Sequence, residues 1–159
     1  MGVAGSGKSV IGAAFAKALD VEFVEGDQYH SAYNVERMSR GIPLTDDDRA
    51  MWLGSLATRI GEASAARTGL VVSCSALKRS YRDVLRAHAS DLRFVFLKGD
   101  QPLIAERLAA RSGHFMPPTL LDSQLATLEE PTFDENVLVC DIRNSPQEIV
   151  SMLVASVPG

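Results

Sequence analysis

A glycine-rich segment near the start of the chain constrains the fold more than any other feature. Residues 2–9 read GVAGSGKS and match the pattern G-x-x-x-x-G-K-[ST] at every fixed position. Glycines let the backbone curl so that successive N–H groups point at phosphate oxygens, while the lysine and the hydroxyl reach phosphate and Mg²⁺. The segment predicts a phosphate-binding loop for a nucleoside triphosphate with Mg²⁺. The residues predicted to bind the nucleotide are Gly2, Val3, Ala4, Gly5, Ser6, Gly7, Lys8 and Ser9, and Ser9 is the predicted Mg²⁺ ligand.

The flanks of this loop match half of the context that it needs. An amphipathic helix follows, because Ile11, Phe15 and Leu19 share a face, and its N-terminal dipole favours phosphate. A strand should lead into the loop, yet only Met1 precedes Gly2. A missing central strand would cost roughly 6–12 kcal/mol in buried side chains, against a domain stability of ~5–15 kcal/mol. We therefore expect further apolar residues before Met1 in the working protein, and an intact loop beside a gap in the sheet of this chain.

The rest of the chain alternates between strand and helix patterns. Apolar runs at 21–24, 70–74, 92–97 and 137–142 are contiguous, which is typical of strands buried on both faces of a parallel sheet. The pattern predicts an α/β fold with three layers and a single domain over residues 1–159. Helix starts are predicted at Thr45 with Asp48, at Asp100, and at Ser145 with Glu148.

Composition excludes several classes of protein. Of 159 residues, 46% are apolar and 23% charged, and the net charge is −4, which is ordinary for a globular domain and gives no sign of a nucleic-acid or membrane partner. No apolar run approaches the ~18 residues of a membrane span, and no signal peptide is predicted. Cys74 and Cys140 lie in apolar runs, so we expect two buried free thiols and a reducing, cytoplasmic location.

Ligands of an open parallel sheet bind beyond the carboxyl ends of the strands. Asp27 follows the first strand, where a carboxylate could accept the proton of an attacking hydroxyl, orient that hydroxyl, or hold Mg²⁺ through water. A simple turn or N-cap role is equally open. The second strand lacks a terminal aspartate, which raises the importance of Asp27.

Two pairs of basic residues are spaced four apart. Lys78 and Arg82 could bind an anionic substrate or form a solvated basic face. Arg107 and Arg111 precede a Gly/Pro segment and could belong to a lid over residues 107–124, or be ordinary surface arginines.

With these residues in place, the chain resembles the gluconokinase family, small P-loop kinases related to shikimate and nucleoside monophosphate kinases. The resemblance covers nearly the whole chain. Beyond the loop, its marks are Gly26-Asp27 with His30, Asp46-Asp47-Asp48-Arg49 with Trp52-Leu53, Ser75-Ala76-Leu77-Lys78 with Tyr81-Arg82, and Gly113-His114-Phe115.

The resemblance implies ATP-dependent phosphorylation of D-gluconate at its 6-hydroxyl, strand order 2-3-1-4-5 with the first strand missing, a cytoplasmic enzyme and a homodimer. The implied catalytic residues are Lys8, Asp27 and Arg111. The implied substrate contacts are Asp27, His30, Lys78, Arg82 and His114, while Arg107 and Arg111 match the lid over ATP. The segment 143–146 is a candidate for the adenine site.

Two alternatives remain open from the sequence. One is a related kinase with another small acceptor, such as shikimate. The other is a nucleotide-binding module without catalysis. The presence of Asp27 together with Lys8 and the candidate lid arginines, Arg107 and Arg111, argues against this second alternative.

Overall fold

The computed structural model describes residues 1–110 and 118–157. Strands and helices alternate as predicted, and the protein has an α/β fold. The elements are α1 (Lys8–Leu19), β1 (Glu22–Glu25), α2 (Ala32–Ser39), α3 (Asp46–Ala66), β2 (Leu70–Ser73), α4 (Arg79–Arg86), β3 (Val95–Lys98), α5 (Gln101–Ala109), α6 (Pro118–Thr127), β4 (Leu138–Asp141) and α7 (Pro146–Ser156). A short 3-10 helix at Gly26–Tyr29 follows β1, and another at Phe133–Glu135 precedes β4.

The helix starts confirm the capping pattern of the sequence. Thr45 and Asp48 exchange side-chain and backbone hydrogen bonds in a capping box at α3. Ser145 and Glu148 do the same at α7, and the carboxylate of Asp100 accepts the amide of Leu103 at α5. Each side chain satisfies a helix amide that lacks an intrahelical acceptor, so these boundaries are locally encoded.

The four strands form two parallel pairs. β1 pairs with β2, with Glu25 opposite Ser73, and β3 pairs with β4, with Lys98 opposite Asp141. Both pairs are neighbours in the expected strand order, and the order across the two pairs stays a prediction. β3 begins later than the sequence pattern predicted, because the amide of Leu92 closes a turn onto the carbonyl of Ala89 instead of entering a strand.

The expected gap lies between the two pairs. Among the described residues no ladder joins β2 to β3, and a cavity of about 590 Å³ separates them. Met1 bridges part of this space, because its nitrogen donates to the carbonyl of Val95 and its carbonyl accepts the amide of Leu97 at 3.0 Å. The amide of Gly2 donates to the carbonyl of Ser75 at 3.1 Å. The phosphate loop therefore starts at the carboxyl end of β2, beside β3.

Each strand pair has its own hydrophobic core. Trp52, Leu56 and Ile60 of α3 pack with Val24 of β1 and with α4. On the other side, α5 and α7 pack with the second pair and with Ile11 of α1, while α1 itself also contacts β1 and β2. The residues Ile104, Cys140, Ile142, Ile149 and Leu153 are almost fully buried. Cys74 and Cys140 are buried free thiols, as predicted. Within the described part of the chain, no helix combines the length and apolarity that crossing a membrane requires.

Candidate active site

The phosphate loop takes its shape from three glycines with positive φ. Gly2, Gly5 and Gly7 have φ angles of 142°, 81° and 93°. A Cβ on Gly2 would lie 2.9 Å from the carbonyl oxygen of Leu97, and one on Gly5 would lie 2.8 Å from Cγ of Leu108. Both the backbone angle and the surrounding atoms therefore require glycine at these positions.

The loop ends at a helix N-terminus that carries a lysine. Gly7 is the N-cap of α1, so the amides of Ser9 and Val10 in the first turn precede any intrahelical acceptor. The ammonium of Lys8 donates to the carbonyl of Val3 at 2.9 Å, which holds its charge across the loop. Helix dipole and ammonium together make this a site for polyanionic phosphate.

A cleft of about 200 Å³ opens on the outer side of the loop. Gly5, Gly7, Asn144 and Pro146 line it, together with Arg107. The segment after β4, which the sequence suggested for adenine, therefore faces a cleft that is continuous with the phosphate loop. The guanidinium of Arg107 donates to the carbonyl of Ile142 at 2.6 Å, so this predicted lid arginine is tied to the end of β4.

Asp27 lies in the short 3-10 helix that follows β1. Its neighbour Gly26 touches the end of β2, since a Cβ there would lie 2.1 Å from the carbonyl oxygen of Ser73. The indole of Trp52 donates to the carbonyl of Gly26 at 2.7 Å. These contacts fix the backbone that carries the exposed Asp27 side chain.

The charges of Asp27 and Lys8 act on the same buried thiol. Burial raises the pKa of Cys74 to about 11, and Lys8 lowers it while Asp27 raises it further. Cys74 directly follows β2. The phosphate loop and the Asp27 segment both adjoin this end of the strand, since the amide of Gly2 donates to the carbonyl of Ser75 and Gly26 packs against that of Ser73.

His30 stacks on Trp52 next to Asp27. The two ring centroids are 4.2 Å apart and the rings are 17° from parallel. Burial lowers the pKa of His30, Asp27 opposes that shift and Arg49 adds to it. A neutral imidazole is thereby favoured, and its Nδ1 is buried without a protein partner among the described residues.

Further along, an ionic network joins the start of α3 to the start of α4. The ammonium of Lys78 lies 2.8 Å from both carboxylate oxygens of Asp46, and the hydroxyl of Tyr81 donates to the same carboxylate. The hydrogen bond from Lys78 lowers the pKa of Asp46, and the bond from Tyr81 lowers it further. Arg49 lies over the Tyr81 ring, with 5.7 Å from its Cζ to the centroid.

Asp27, His30, Asp46, Arg49 and Lys78 form a continuous set of polar side chains, which we call the polar cluster. Asp27 and Arg49 both act electrostatically on His30, and Arg49 also acts on Asp46. Asp46 in turn accepts a hydrogen bond from Lys78. Along this chain of interactions Asp27 is the first member and Lys78, at the far end, is the last. Sequence reasoning assigned no role to Arg49, although the run Asp46-Asp47-Asp48-Arg49 placed a cation three residues from Asp46 on the same helix.

Arg82 does not join this cluster, contrary to its predicted contact with substrate. Its guanidinium is fully buried and donates to both carboxylate oxygens of Glu135, at 2.5 and 2.8 Å. It also donates to the carbonyls of Ala76 and Leu77, at 3.1 and 3.2 Å. The bond from Arg82 lowers the pKa of Glu135 to about 2. These contacts are those of a structural ion pair that fastens the segment after β2.

Arg111 and His114 lie outside the described residues, as does part of the predicted lid over residues 107–124. Their predicted roles stay predictions.

Comparison with known proteins agrees with this geometry. A family model described as an AAA domain matches residues 1–131. The chain is 45% identical to the thermosensitive gluconokinase of Escherichia coli, over 87% of this chain and 74% of that protein. It is also 45% identical to the gluconokinase of Gluconobacter oxydans, over 97% of this chain and 86% of that protein.

Solved structures show the same similarity. A sugar kinase from a Janibacter species superposes with a TM-score of 0.92 at 45% identity, covering 98% of this chain and 90% of that one. A gluconokinase from Sinorhizobium meliloti superposes with a TM-score of 0.86 at 51% identity, covering 98% of this chain and 87% of that one.

Proposed function

The chain belongs to the gluconokinase family, and from that premise we propose that it transfers the γ-phosphate of ATP to the 6-hydroxyl of D-gluconate. The product is 6-phospho-D-gluconate. One observation carries the proposal: the phosphate loop that carries Lys8 and the segment that carries Asp27, a phosphate-binding cation and a candidate base, both adjoin the carboxyl end of β2. A donor phosphate and an acceptor hydroxyl can meet between them.

The phosphate loop and the first turn of α1 bind the triphosphate in this proposal. Gly5, Gly7 and the amides of Ser9 and Val10 surround the phosphates, and Lys8 stabilises the charge of the transferring group. The cleft lined by Asn144 and Pro146 receives the adenine.

Mg²⁺ would be held mainly by the nucleotide. The described residues contain no cluster of three or more His, Cys, Asp or Glu that could hold a metal ion. That fits Mg²⁺, which commonly uses one or two protein ligands together with phosphates and water. Ser9 supplies a hydroxyl ligand and Asp27 a carboxylate that acts through water. When bound, Mg²⁺ neutralises charge on the β- and γ-phosphates.

The polar cluster binds the acceptor. Asp27 takes the proton of the 6-hydroxyl as that oxygen forms its bond to the γ-phosphorus. The bond from this phosphorus to the β–γ bridging oxygen breaks, and ADP leaves. His30, neutral and stacked on Trp52, contacts the sugar hydroxyls. Lys78 attracts the carboxylate of gluconate at the far end of the cluster. Gluconate is thus bound at both of its ends, with its carboxylate near Lys78 and its 6-hydroxyl near Asp27, which aligns that hydroxyl with the phosphate.

Arg111, with Lys8 and Asp27, completes the proposed catalytic set, and His114 the proposed substrate contacts. The homodimer and the cytoplasmic location are also part of the proposal. Both rest on the resemblance to the family, and sedimentation of the purified protein tests the first.

A coupled assay for ADP release tests the activity. Purified protein with ATP and Mg²⁺ is offered gluconate, shikimate and related sugar acids. We expect turnover on gluconate and none on shikimate. Turnover on shikimate alone would favour a different small acceptor, and nucleotide binding without turnover on any acid would favour a non-catalytic module.

A further inference from the structure

A glutamine of α6 holds the phosphate loop directly. The backbone N–H of Ala4 donates to Oε1 of Gln124 at 2.7 Å, across 120 residues of sequence. A backbone N–H requires an acceptor, so this bond identifies the oxygen of the carboxamide and directs its NH₂ group away from the Ala4 nitrogen. Gln124 is half-buried, and sequence reasoning assigned it no role.

Ala4, which donates this hydrogen bond, lies in a part of the loop whose conformation the neighbouring glycines do not fix. Ala4 stands between Gly2 and Gly5, whose positive φ angles give the loop its curl. Glycines permit that curl without enforcing it, because they populate many other conformations. Beside Ala4, the carbonyl of Val3 accepts Lys8 at 2.9 Å. A side chain that fixes Ala4 therefore also fixes the carbonyl that holds the phosphate-binding lysine.

The neutrality of this side chain matters as much as its hydrogen bond. A glutamate could accept the same N–H, but it would bring a negative charge to a loop that must receive a triphosphate. Two like charges about 4 Å apart repel by about 1 kcal/mol even in water. A glutamine gives the acceptor without the repulsion.

We propose that Gln124 is a positioning residue for phosphoryl transfer, which acts through Ala4 to hold the phosphate loop in its anion-binding shape. The proposal rests on the proposed function for its kinetic consequence. The alternative is that Gln124 occupies the phosphate site as a plug, which nucleotide must displace.

Two substitutions separate the hydrogen bond from the charge. Gln124→Met keeps the length of the side chain and removes the acceptor, so we expect kcat to fall about 10- to 100-fold, as for a misplaced reacting group. Nucleotide affinity should also fall, but by less than about threefold, since most loop donors remain. Gln124→Glu keeps the acceptor and adds charge, so the Kd of a non-hydrolysable ATP analogue should rise about tenfold, and less at high salt.

Gln101→Met is the matched control. The side-chain amide of Gln101 donates to Asp122 at 2.7 Å and links α5 to α6 away from the phosphate loop. Gln101→Met replaces a glutamine by methionine in the same pair of helices, as Gln124→Met does. We expect this control to have the kcat and the analogue affinity of the wild type. Thermal unfolding of all three variants checks that each is folded.

The outcomes separate the possibilities. A Gln124→Met variant with wild-type kcat, or with tighter analogue binding as a plug would give, would overturn the proposal. An equal loss of kcat in Gln101→Met would mean that Gln124 only stabilises the packing of α6, and that result would also overturn the proposal. If the wild type fails to phosphorylate gluconate, the proposed function fails by itself, while the analogue affinities of Gln124→Glu and the wild type still test the role of Gln124.

Discussion

The phosphate loop and the polar cluster are built in opposite ways. The loop takes its shape from consecutive residues, in which Gly2, Gly5 and Gly7 permit the curl and Lys8 opens the following helix. The polar cluster takes its shape from segments far apart in sequence, with Asp46 of α3 bonded to Lys78 at the start of α4. The loop therefore depends on few distant residues, Gln124 among them, whereas the polar cluster depends throughout on the packing that brings its parts together.

The largest expected effect lies in the packing behind the polar cluster. Replacing Arg82 by Leu leaves the carboxylate of Glu135 buried without its cation, which should cost about 3–5 kcal/mol of unfolding free energy. Because the pKa of Glu135 is about 2 in the fold, the stabilisation is present above the unfolded value of about 4.3 and is lost as pH falls toward 2. Urea unfolding at neutral and acid pH measures both.

The neighbouring ion pair of Arg79 and Asp134 provides the control. Its side chains are 48% and 60% exposed, so Arg79→Leu should cost much less stability than Arg82→Leu, because water screens an exposed pair. Equal losses in the two variants would mean that burial of the Arg82 pair does not support the cluster.

The next effect is on chemistry, at the point where the two regions meet. Asp27→Asn keeps the shape of the side chain and removes the base, so kcat should fall at least about 100-fold while ATP still binds. Glu22→Gln, at the other end of β1 and paired with Arg59, should leave kcat unchanged. Near-normal turnover of Asp27→Asn in the coupled assay would remove Asp27 from the mechanism.

A substitution in the phosphate loop should affect only the nucleotide. Gly5→Ala puts a side chain at φ 81° and against Leu108, and strain of about 1–3 kcal/mol should weaken ATP binding by about tenfold. Calorimetric titration with an ATP analogue measures the change, and the KM for gluconate should stay as in the wild type.

Gly54→Ala is the matched control for this change. Gly54 lies within α3, and a Cβ there meets no atom within 4 Å. We expect unchanged ATP affinity and a gain of about 0.5–1 kcal/mol in stability from helix propensity. A loss of gluconate affinity in Gly5→Ala would show that the two regions are coupled more tightly than their construction indicates.

The smallest effect is a selective one on the acceptor. Lys78→Met should raise the KM for gluconate about tenfold and leave the KM for ATP alone, since one charge-assisted contact is lost. Lys98→Met removes a comparable exposed pair, with Glu130 at 2.7 Å, and should change neither constant. If both variants alter the two KM values alike, Lys78 acts through general electrostatics rather than by contact with the acceptor.

The sequence was sufficient to predict the features that depend on residues close together along the chain. The curl of the loop, the start of α1 and the capping boxes at Thr45 and Ser145 depend on residues within a few positions of each other. The loop depends on the φ angles of its own glycines, and the capping side chains bond to backbone three residues away, so these features are set within each segment.

It could not predict which way a side chain faces when packing decides. A spacing of four suggested one helix face for Lys78 and Arg82, but Lys78 is the N-cap of α4 with extended backbone, so helical spacing does not apply to it. Arg82 turns instead into the core, toward Glu135, which is 53 residues away. Likewise, nothing near Gln124 in sequence indicated its bond to Ala4.

The position of the transferred phosphate tests the central claim most directly. Purified protein is incubated with ATP, Mg²⁺ and uniformly ¹³C-labelled gluconate, and the product is examined by ¹³C and ³¹P NMR. We expect C6 to be the carbon that carries the new phosphate, because Asp27 meets the 6-hydroxyl beside the phosphate loop. Phosphate on any other carbon, or ADP formed with no phosphorylated sugar acid, would contradict it.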